Sequence, residues 1–312
     1  MRAFFKSAVE SRYKTPENLR VITANYCIAL LPVIVAGVYA FGFNAFKVLL
    51  AAVVSSVLSE YVYERLMKLP VTTMNGTALL TGLLLGLCLP SEVPLYVPAV
   101  GGIFATIVVV HLFGGYGFHI MNPVLVSRCF LLLSFQLAMT QYIVDGMSMA
   151  TPLSIMRSGG VPNLKEMVLL NPNAGCIGEA SVLALLVGAL FLLLARKISL
   201  ITPLVYLAVF SAFVCLFGDG PVSVNYLLSH LCGGGLIFVA FFFATDRVTS
   251  PVGALGKIVY GLLLGIITGI YRIMGTTVEG VSYAVIFCNL LVPLIDKYLA
   301  PKGLPERGEA EG

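Results

Sequence analysis

Ten apolar segments occupy most of this chain of 312 residues, and most of them are as long as a membrane-spanning helix. A hydrocarbon core of about 30 Å takes roughly 20 apolar helical residues to cross. Only 11% of the residues are charged, against about 25% in soluble globular domains. The sequence therefore predicts an all-α integral membrane protein. The predicted segments fall near residues 21–42, 44–66, 76–90, 94–114, 122–142, 178–197, 199–217, 224–244, 252–274 and 278–299.

The third segment in each group of five is predicted to be interrupted. Residues 76–90 are too few to span comfortably and end at Pro90, while Gly233, Gly234 and Gly235 open the eighth segment near its start. Because five is an odd number, the second half would insert upside down relative to the first. This pattern indicates two inverted halves, with irregular backbone lining a buried site between them. The predicted divisions are an N-terminal segment (1–20), a first half (21–142), a loop (143–177), a second half (178–299) and a tail (300–312).

The positive charges predict the orientation, because cytoplasmic loops retain Lys and Arg. If the N-terminus lies inside, most of the 19 Lys and Arg residues are cytoplasmic. We therefore expect a multi-pass protein of the inner (cytoplasmic) membrane, with both termini cytoplasmic and residues 143–177 on the outer face. The first apolar run is long enough to span and does not look like a cleavable signal peptide. The net charge of +4 is too small and too scattered for a nucleic-acid surface, so membrane lipid is the expected surroundings.

The outer loop contains the run Asp145-Gly146-Met147-Ser148-Met149-Ala150-Thr151-Pro152. Taken alone, this run is typical of a turn, because Asp and Ser side chains bond to nearby backbone. The residue before a proline is pushed to an extended conformation. We therefore expect Thr151 to present its hydroxyl on an exposed, extended backbone, accessible to a modifying enzyme.

The same run resembles a known modification motif. Asp145-x-x-Ser148-x-Ala150-Thr151 is similar to D-x-x-[ST]-G-A-T, in which a flavin transferase uses FAD to attach FMN to the threonine oxygen through a phosphoester. Met149 stands where a small residue is usual. Four other stretches resemble the NqrB/RnfD family, in the expected order, over roughly residues 15–300. These stretches are Ile28–Pro32, Gly76–Leu85, Asn122–Arg128 and Ala244–Pro251, with Arg247 where members often carry Pro.

The resemblance implies a flavin-carrying subunit of an Rnf-type complex, which is not catalytic alone. Such a complex transfers electrons between ferredoxin and NAD⁺ with coupled Na⁺ or H⁺ translocation. The implied cofactor is FMN on Thr151, with Asp145, Ser148 and Ala150 completing the motif, and a second, non-covalent flavin such as riboflavin is also consistent with the family. The implied partners are subunits of the C, G, A, E and B types and the flavin transferase. The short N-terminal region favours RnfD over an NqrB-like subunit of a sodium-pumping NADH:quinone reductase.

Two other functions stay open from the sequence. Ten segments in inverted halves are also typical of a small-solute permease or channel without flavin, and an unmodified paralogue could scaffold other subunits. Arg128, about two turns into the fifth segment, is a candidate cofactor-binding residue that could pair with a cofactor phosphate. It could instead reach toward the cytoplasmic side, or pair with a partner subunit or a helix C-terminus.

The remaining polar residues predict little chemistry. Acidic residues lie at segment ends, which argues against a carboxylate proton relay within this chain. The three histidines and seven cysteines show no metal-ligand spacing, so no metal site is predicted and the thiols are expected to pack as small hydrophobes. Asn75 and Asn122 precede helical segments and are expected to cap them.

Overall fold

The computed structural model describes residues 16–144, 147–148, 151–158, 160, 162–171, 175–218, 223–275 and 280–299. These residues form an all-α protein apart from two-residue strands, Ile143–Val144 (β1) and Met147–Ser148 (β2), which pair antiparallel. The helices are α1 Pro16–Phe41, α2 Phe43–Leu66, α3 Thr77–Leu87, α4 Tyr96–His111, α5 Pro123–Ser134, α6 Gln136–Thr140, α7 Pro152–Arg157, α8 Leu164–Leu169, α9 Val182–Leu194, α10 Ile201–Phe217, α11 Val224–Cys232, α12 Leu236–Phe243, α13 Ala254–Ile273 and α14 Gly280–Leu299.

The long apolar helices agree with a membrane protein. Within the described part of the chain, α1 (from Leu19), α2, α13 and α14 are each long and apolar enough to cross a bilayer, and α11 with α12 makes a fifth span if the bent pair is counted as one. Helices α3, α4, α5, α9 and α10 are apolar but shorter. Every predicted segment has a helical counterpart, and the number of spans stays a prediction.

Both predicted interruptions are present. Helix α3 has 11 residues and ends at Leu87, which is too short to cross the hydrocarbon core. In the second half, α11 and α12 meet at an angle of 61°. Gly234 and Gly235 have φ values of 63° and 67° there, a region that residues with a Cβ rarely adopt. The glycine run therefore forms the break.

The fifth segment ends earlier than predicted. The apolar pattern predicts a helix to residue 142, but α5 ends at Ser134. Phe135 has φ −128° and ψ 46°, outside the helical region, and the short α6 follows. Because the sequence stays apolar through this point, hydropathy could not locate the break. The loop at 143–177 also has more structure than predicted, with the β1–β2 pair, α7 and α8.

The second and fourth helices pack on each other in both halves. In the first half, a Cβ on Gly102 of α4 would lie 3.0 Å from the Ala52 carbonyl oxygen of α2. In the second half, Gly261, Gly265 and Gly269 of α13 lie against α10. Small residues let helix backbones approach closely within a membrane. The matching pairs are what a repeat requires, and the inverted orientation of the halves stays a prediction.

A side chain at Gly265 should disrupt this packing. A Cβ there would lie 2.7 Å from two carbons of Val209 and 3.0 Å from the Phe210 backbone nitrogen. We expect Gly265→Leu to lower the unfolding free energy by about 2 to 3 kcal/mol, as overpacking does, seen as a lower midpoint in detergent thermal unfolding. Leu255→Ala on the exposed face of α13 is the control, and an equal loss in both variants would contradict close α10–α13 packing.

Candidate cofactor site

The two interruptions and the start of α7 meet around one cavity of about 40 Å³. Its lining includes Cys88 just after α3, Gly234 and Gly235 at the α11–α12 break, and Thr151 just before α7. Helical breaks leave backbone groups unpaired, so they are tolerated within a membrane protein only where they are buried or line a cavity. The sequence predicted such a site between the halves, and the cavity lies where their interrupted helices come together.

Thr151 is the N-cap residue of α7. Its backbone is extended, with φ −68° and ψ 154°, as Pro152 predicts. The Ser154 amide donates to Thr151 Oγ1 at 3.3 Å, and Thr151 Oγ1 is 3.4 Å from Ser154 Oγ. The prediction of an exposed hydroxyl was wrong, since Thr151 is only 6% exposed. The local motif determines the backbone conformation but carries no information about what packs over it.

Arg128 lines the same cavity as Thr151. It is buried, and its Nη1 donates to the Cys88 carbonyl and to Cys176 Sγ, 3.1 Å away. Of the alternatives considered for this residue, the structure shows the interaction with a helix C-terminus, because Cys88 is the residue that follows α3. A guanidinium at that position complements the negative end of the helix dipole.

Sequence reasoning missed two charged residues that lie at the break between α11 and α12. Arg272 is buried and Glu179 is partly buried. Arg272, near the end of α13, donates to the carbonyls of Gly233 and Gly234 at 3.1 and 3.4 Å. Glu179 lines the Thr151 cavity, and its Oε1 would be 3.0 Å from a Cβ on Gly235. The sequence could have indicated this role for Arg272. A broken helix needs hydrogen-bond donors for its free carbonyls, and Arg272 lies near the end of a neighbouring apolar segment.

The structure describes the other motif residues only in part. Asp145 and Ala150 lie outside the described residues, and Ser148 is described only as part of β2. The structure therefore brings together Thr151 and Arg128 among the predicted site residues. The residues present fit the phosphoester end of FMN, since the cavity offers a hydroxyl to esterify and an arginine that complements a phosphate. Its volume is far below the roughly 300 Å³ of usual ligand pockets, so it fits the linkage rather than the flavin ring.

The predicted helix caps gave one success and one error. Asn122 Oδ1 accepts from the amides of Val124 and Leu125 at 3.1 and 3.4 Å, so Asn122 caps α5. Asn75 does not cap α3, because the N-cap residue is Gly76. Asn75 instead joins α1 to the turn before α3: its carbonyl accepts from Thr23 Oγ1 at 2.7 Å.

An acidic cluster lies away from this cavity, at the ends of α2 and α4. Glu60, Glu64 and His111 each have a side-chain atom that could bind a metal ion, and these three atoms lie within 4.8 Å of one another. Both carboxylates accept hydrogen bonds: Glu64 from the Thr72 amide at 3.0 Å and Glu60 from Thr77 Oγ1 at 3.2 Å. Because the three residues come from two helices, spacing along the sequence could not reveal the group. The structure describes all seven cysteines, and none of them forms a disulfide.

His119, in the turn before α5, is expected to make the stability of the fold sensitive to acid. Its side chain is buried, and this burial lowers the pKa of the imidazole below 6.5, although the Asp246 carboxylate opposes the shift. Protonation therefore opposes folding, and stability is lost as the pH falls below about 6.5, by at most about 1.4 kcal/mol per pH unit. We expect His119→Gln to reduce the drop in thermal midpoint between pH 7.5 and 5.5. An unchanged drop would show that other groups dominate.

The chain matches a family model described as the NQR2, RnfD, RnfE family over residues 7–304. It is 39% identical over 285 residues to the D subunit of the Na(+)-translocating ferredoxin:NAD(+) oxidoreductase complex of Acetobacterium woodii, covering 89% of this chain and 88% of that protein. It is 34% identical over 302 residues to the D subunit of the proton-translocating ferredoxin:NAD(+) oxidoreductase complex of Clostridium ljungdahlii, covering 91% of each. It is 31% identical over 335 residues to the D subunit of the ion-translocating oxidoreductase complex of Colwellia psychrerythraea, covering 93% of each.

Proposed function

The chain belongs to the NQR2, RnfD, RnfE family, and from this membership we infer that it is a membrane subunit of an ion-translocating ferredoxin:NAD⁺ oxidoreductase. The similar proteins are named as subunits of such complexes, so this chain works with other subunits and is not catalytic alone. Family membership favours this function over a small-solute permease or channel without flavin. The names of the relatives also favour the RnfD type over an NqrB-like subunit.

We propose further that the subunit carries FMN on Thr151 through a phosphoester. The observation that supports this is the position of Thr151: the last residue of the flavinylation motif lines a cavity together with a buried arginine, Arg128. A flavin would supply one-electron and two-electron chemistry that no ordinary side chain offers. Thr151 Oγ1 would form the covalent link, and the linking phosphate would keep one negative charge. Arg128 would offset that charge where little water competes.

The proposed attachment suits an electron path across a membrane. A hydrocarbon layer of about 30 Å is too thick for one electron transfer, so carriers are needed at intervals. In the orientation predicted from the positive charges, Thr151 is on the outer side of the inner membrane. A cofactor there would otherwise diffuse away, and a covalent link keeps its effective concentration high near its electron partners. The proposal includes partner subunits of the C, G, A, E and B types, a flavin transferase and a second, non-covalent flavin.

The proposal covers either coupling ion, because one similar protein is named for Na⁺ and another for protons. Its direct test is peptide mass mapping of residues 143–177 from native membranes. We expect the mass of an FMN phosphoryl group on Thr151. A loop peptide of unmodified mass, in a host that has the flavin transferase, would contradict the proposal and favour a scaffolding paralogue.

A further inference from the structure

A basic groove lies just after the C-terminal end of α12, whereas the Thr151 cavity lies at the start of that helix. It has a volume of about 330 Å³ and is lined by four basic residues, Arg196, Lys197, Arg247 and Lys257. Ser199, Thr202 and Ser250 add hydroxyl groups to its wall, whereas the hydroxyl of Thr245 donates to the Phe241 carbonyl. The groove therefore combines several positive charges with hydrogen-bond donors, which is the chemistry that binds a phosphate group.

Two helices also begin at this groove. Helix α10 begins after Leu200 and helix α13 after Gly253, and neither end has a side-chain cap among the described residues. Ser199 and Thr202 line the groove beside the first end, and Val252 and Lys257 line it beside the second. The first amides of a helix lack partners within that helix, and the helix dipole places partial positive charge there. Both ends thus favour an anion in the same place as the basic side chains.

Hydrogen bonds between neighbouring turns define the shape of the groove, and the described residues around it carry a net positive charge. Arg247 donates from Nε and Nη2 to the Lys197 carbonyl at 3.3 and 3.2 Å, which joins the turn after α9 to the turn after α12. Two carboxylates lie nearby, and both have backbone or hydroxyl partners: Asp246 accepts from Thr249 Oγ1 at 2.9 Å, and Asp296 accepts from the Val252 amide at 3.1 Å. Among the residues that the structure describes, these four cations against two carboxylates favour an anionic ligand.

The surroundings of the groove favour a lipid over a soluble phosphate. Exposed aliphatic side chains lie at the starts of the same two helices, and one of them, Val252, also lines the groove: Leu200, Leu204, Val252, Leu255 and Ile258. Because α13 is long and apolar enough to cross a membrane, its exposed aliphatic side chains would face acyl chains in a bilayer. In the part of the chain that the structure describes, the groove lining contains no aromatic ring on which a flavin or a nucleotide base could stack. A phosphate in the groove with acyl chains along the adjoining surface is the arrangement of a membrane phospholipid.

We propose that this groove binds the phosphate head group of an anionic phospholipid. The two pairs of basic residues, Arg196 with Lys197 and Arg247 with Lys257, suit a lipid with one or two phosphates. In the orientation predicted from the positive charges, the groove lies at the cytoplasmic face, where basic pockets between membrane helices recognise such lipids. The proposal does not depend on FMN attachment at Thr151.

The test is native mass spectrometry of the purified complex containing this subunit. The complex is titrated with dioleoyl-phosphatidylglycerol, tetraoleoyl-cardiolipin or dioleoyl-phosphatidylcholine. We expect the Arg196→Gln/Lys257→Gln variant to bind the two anionic lipids about 25-fold more weakly than wild type, at about fivefold for each cation removed, with phosphatidylcholine binding unchanged. The charge-preserving variant Arg196→Lys/Lys257→Arg should bind within twofold of wild type, and it also separates loss of charge from loss of folding.

Matched controls remove exposed cations outside the groove. Arg65→Gln and Lys297→Gln lie at the same predicted membrane face, and we expect less than a twofold effect from either. An equal loss in these controls would overturn the proposal, since it would show only general attraction to a basic surface. Equal affinity for soluble glycerol phosphate would show a free-phosphate site instead. Lipid binding that appears only after partner subunits are removed would show a subunit interface instead.

Discussion

Thr151→Ala should abolish covalent flavin in this subunit. The variant lacks the only atom, Oγ1, through which the proposed phosphoester can form. We expect a wild-type band that fluoresces under ultraviolet light after denaturing electrophoresis, and no such band from the variant. Electron transfer by the assembled complex should fall to background, because the tether keeps the cofactor near its partners. The ferredoxin-dependent NAD⁺ reduction rate of native membranes measures this second effect.

Ser154→Ala is the matched control for this experiment. Ser154 has a hydroxyl within 3.4 Å of Thr151 Oγ1 and donates to the Thr151 carbonyl at 2.7 Å, so its loss perturbs the same turn without removing the esterified atom. We expect the fluorescent band to persist in this variant. A band that persists in Thr151→Ala, or is lost equally in both variants, would refute attachment at Thr151.

Arg128→Met should lower both the stability of the subunit and the midpoint potential of its flavin. The Cys88 carbonyl would lose its buried donor, and an unsatisfied buried group costs about 1 to 3 kcal/mol. The loss of a nearby positive charge would also disfavour the reduced, more negative flavin. Detergent thermal unfolding measures the first effect, and a redox titration of the covalent flavin measures the second.

Arg272→Met distinguishes a structural arginine from a cofactor arginine. Arg272 is also buried and donates to Gly233 and Gly234, so we expect a comparable loss of stability. Arg272 does not line the Thr151 cavity, so the flavin potential should change less than in Arg128→Met. Arg128→Lys should recover most of the potential while staying less stable than wild type. Equal potentials in Arg128→Met and wild type would show that Arg128 acts on the fold alone.

Local sequence patterns predicted the features that depend on local physics. Apolar length predicted the long helices, three consecutive glycines predicted the break at Gly233–Gly235, and an Asn-Pro pair predicted the cap at Asn122. Pro152 likewise predicted the extended backbone of Thr151.

The errors and omissions concern contacts between distant parts of the chain. Arg128 meets Cys88 40 positions away, and Arg272 meets Gly233 39 positions away. Neither pairing leaves a periodic signal, because each depends on how helices pack. The burial of Thr151 and the end of α5 at Ser134 depend on tertiary structure in the same way. Hydropathy measures how apolar a segment is and does not measure what covers it.

The near-complete enclosure of Thr151 has a consequence for biogenesis. If FMN is attached there, the transferase must act on a nascent or opened loop, before α7 docks on its neighbours. A subunit that matures without the enzyme would then be refractory to later labelling. Incubating such a preparation with transferase and FAD should leave it colourless until mild denaturant loosens the loop. The presence of flavin would then show that the transferase acted before the subunit finished folding.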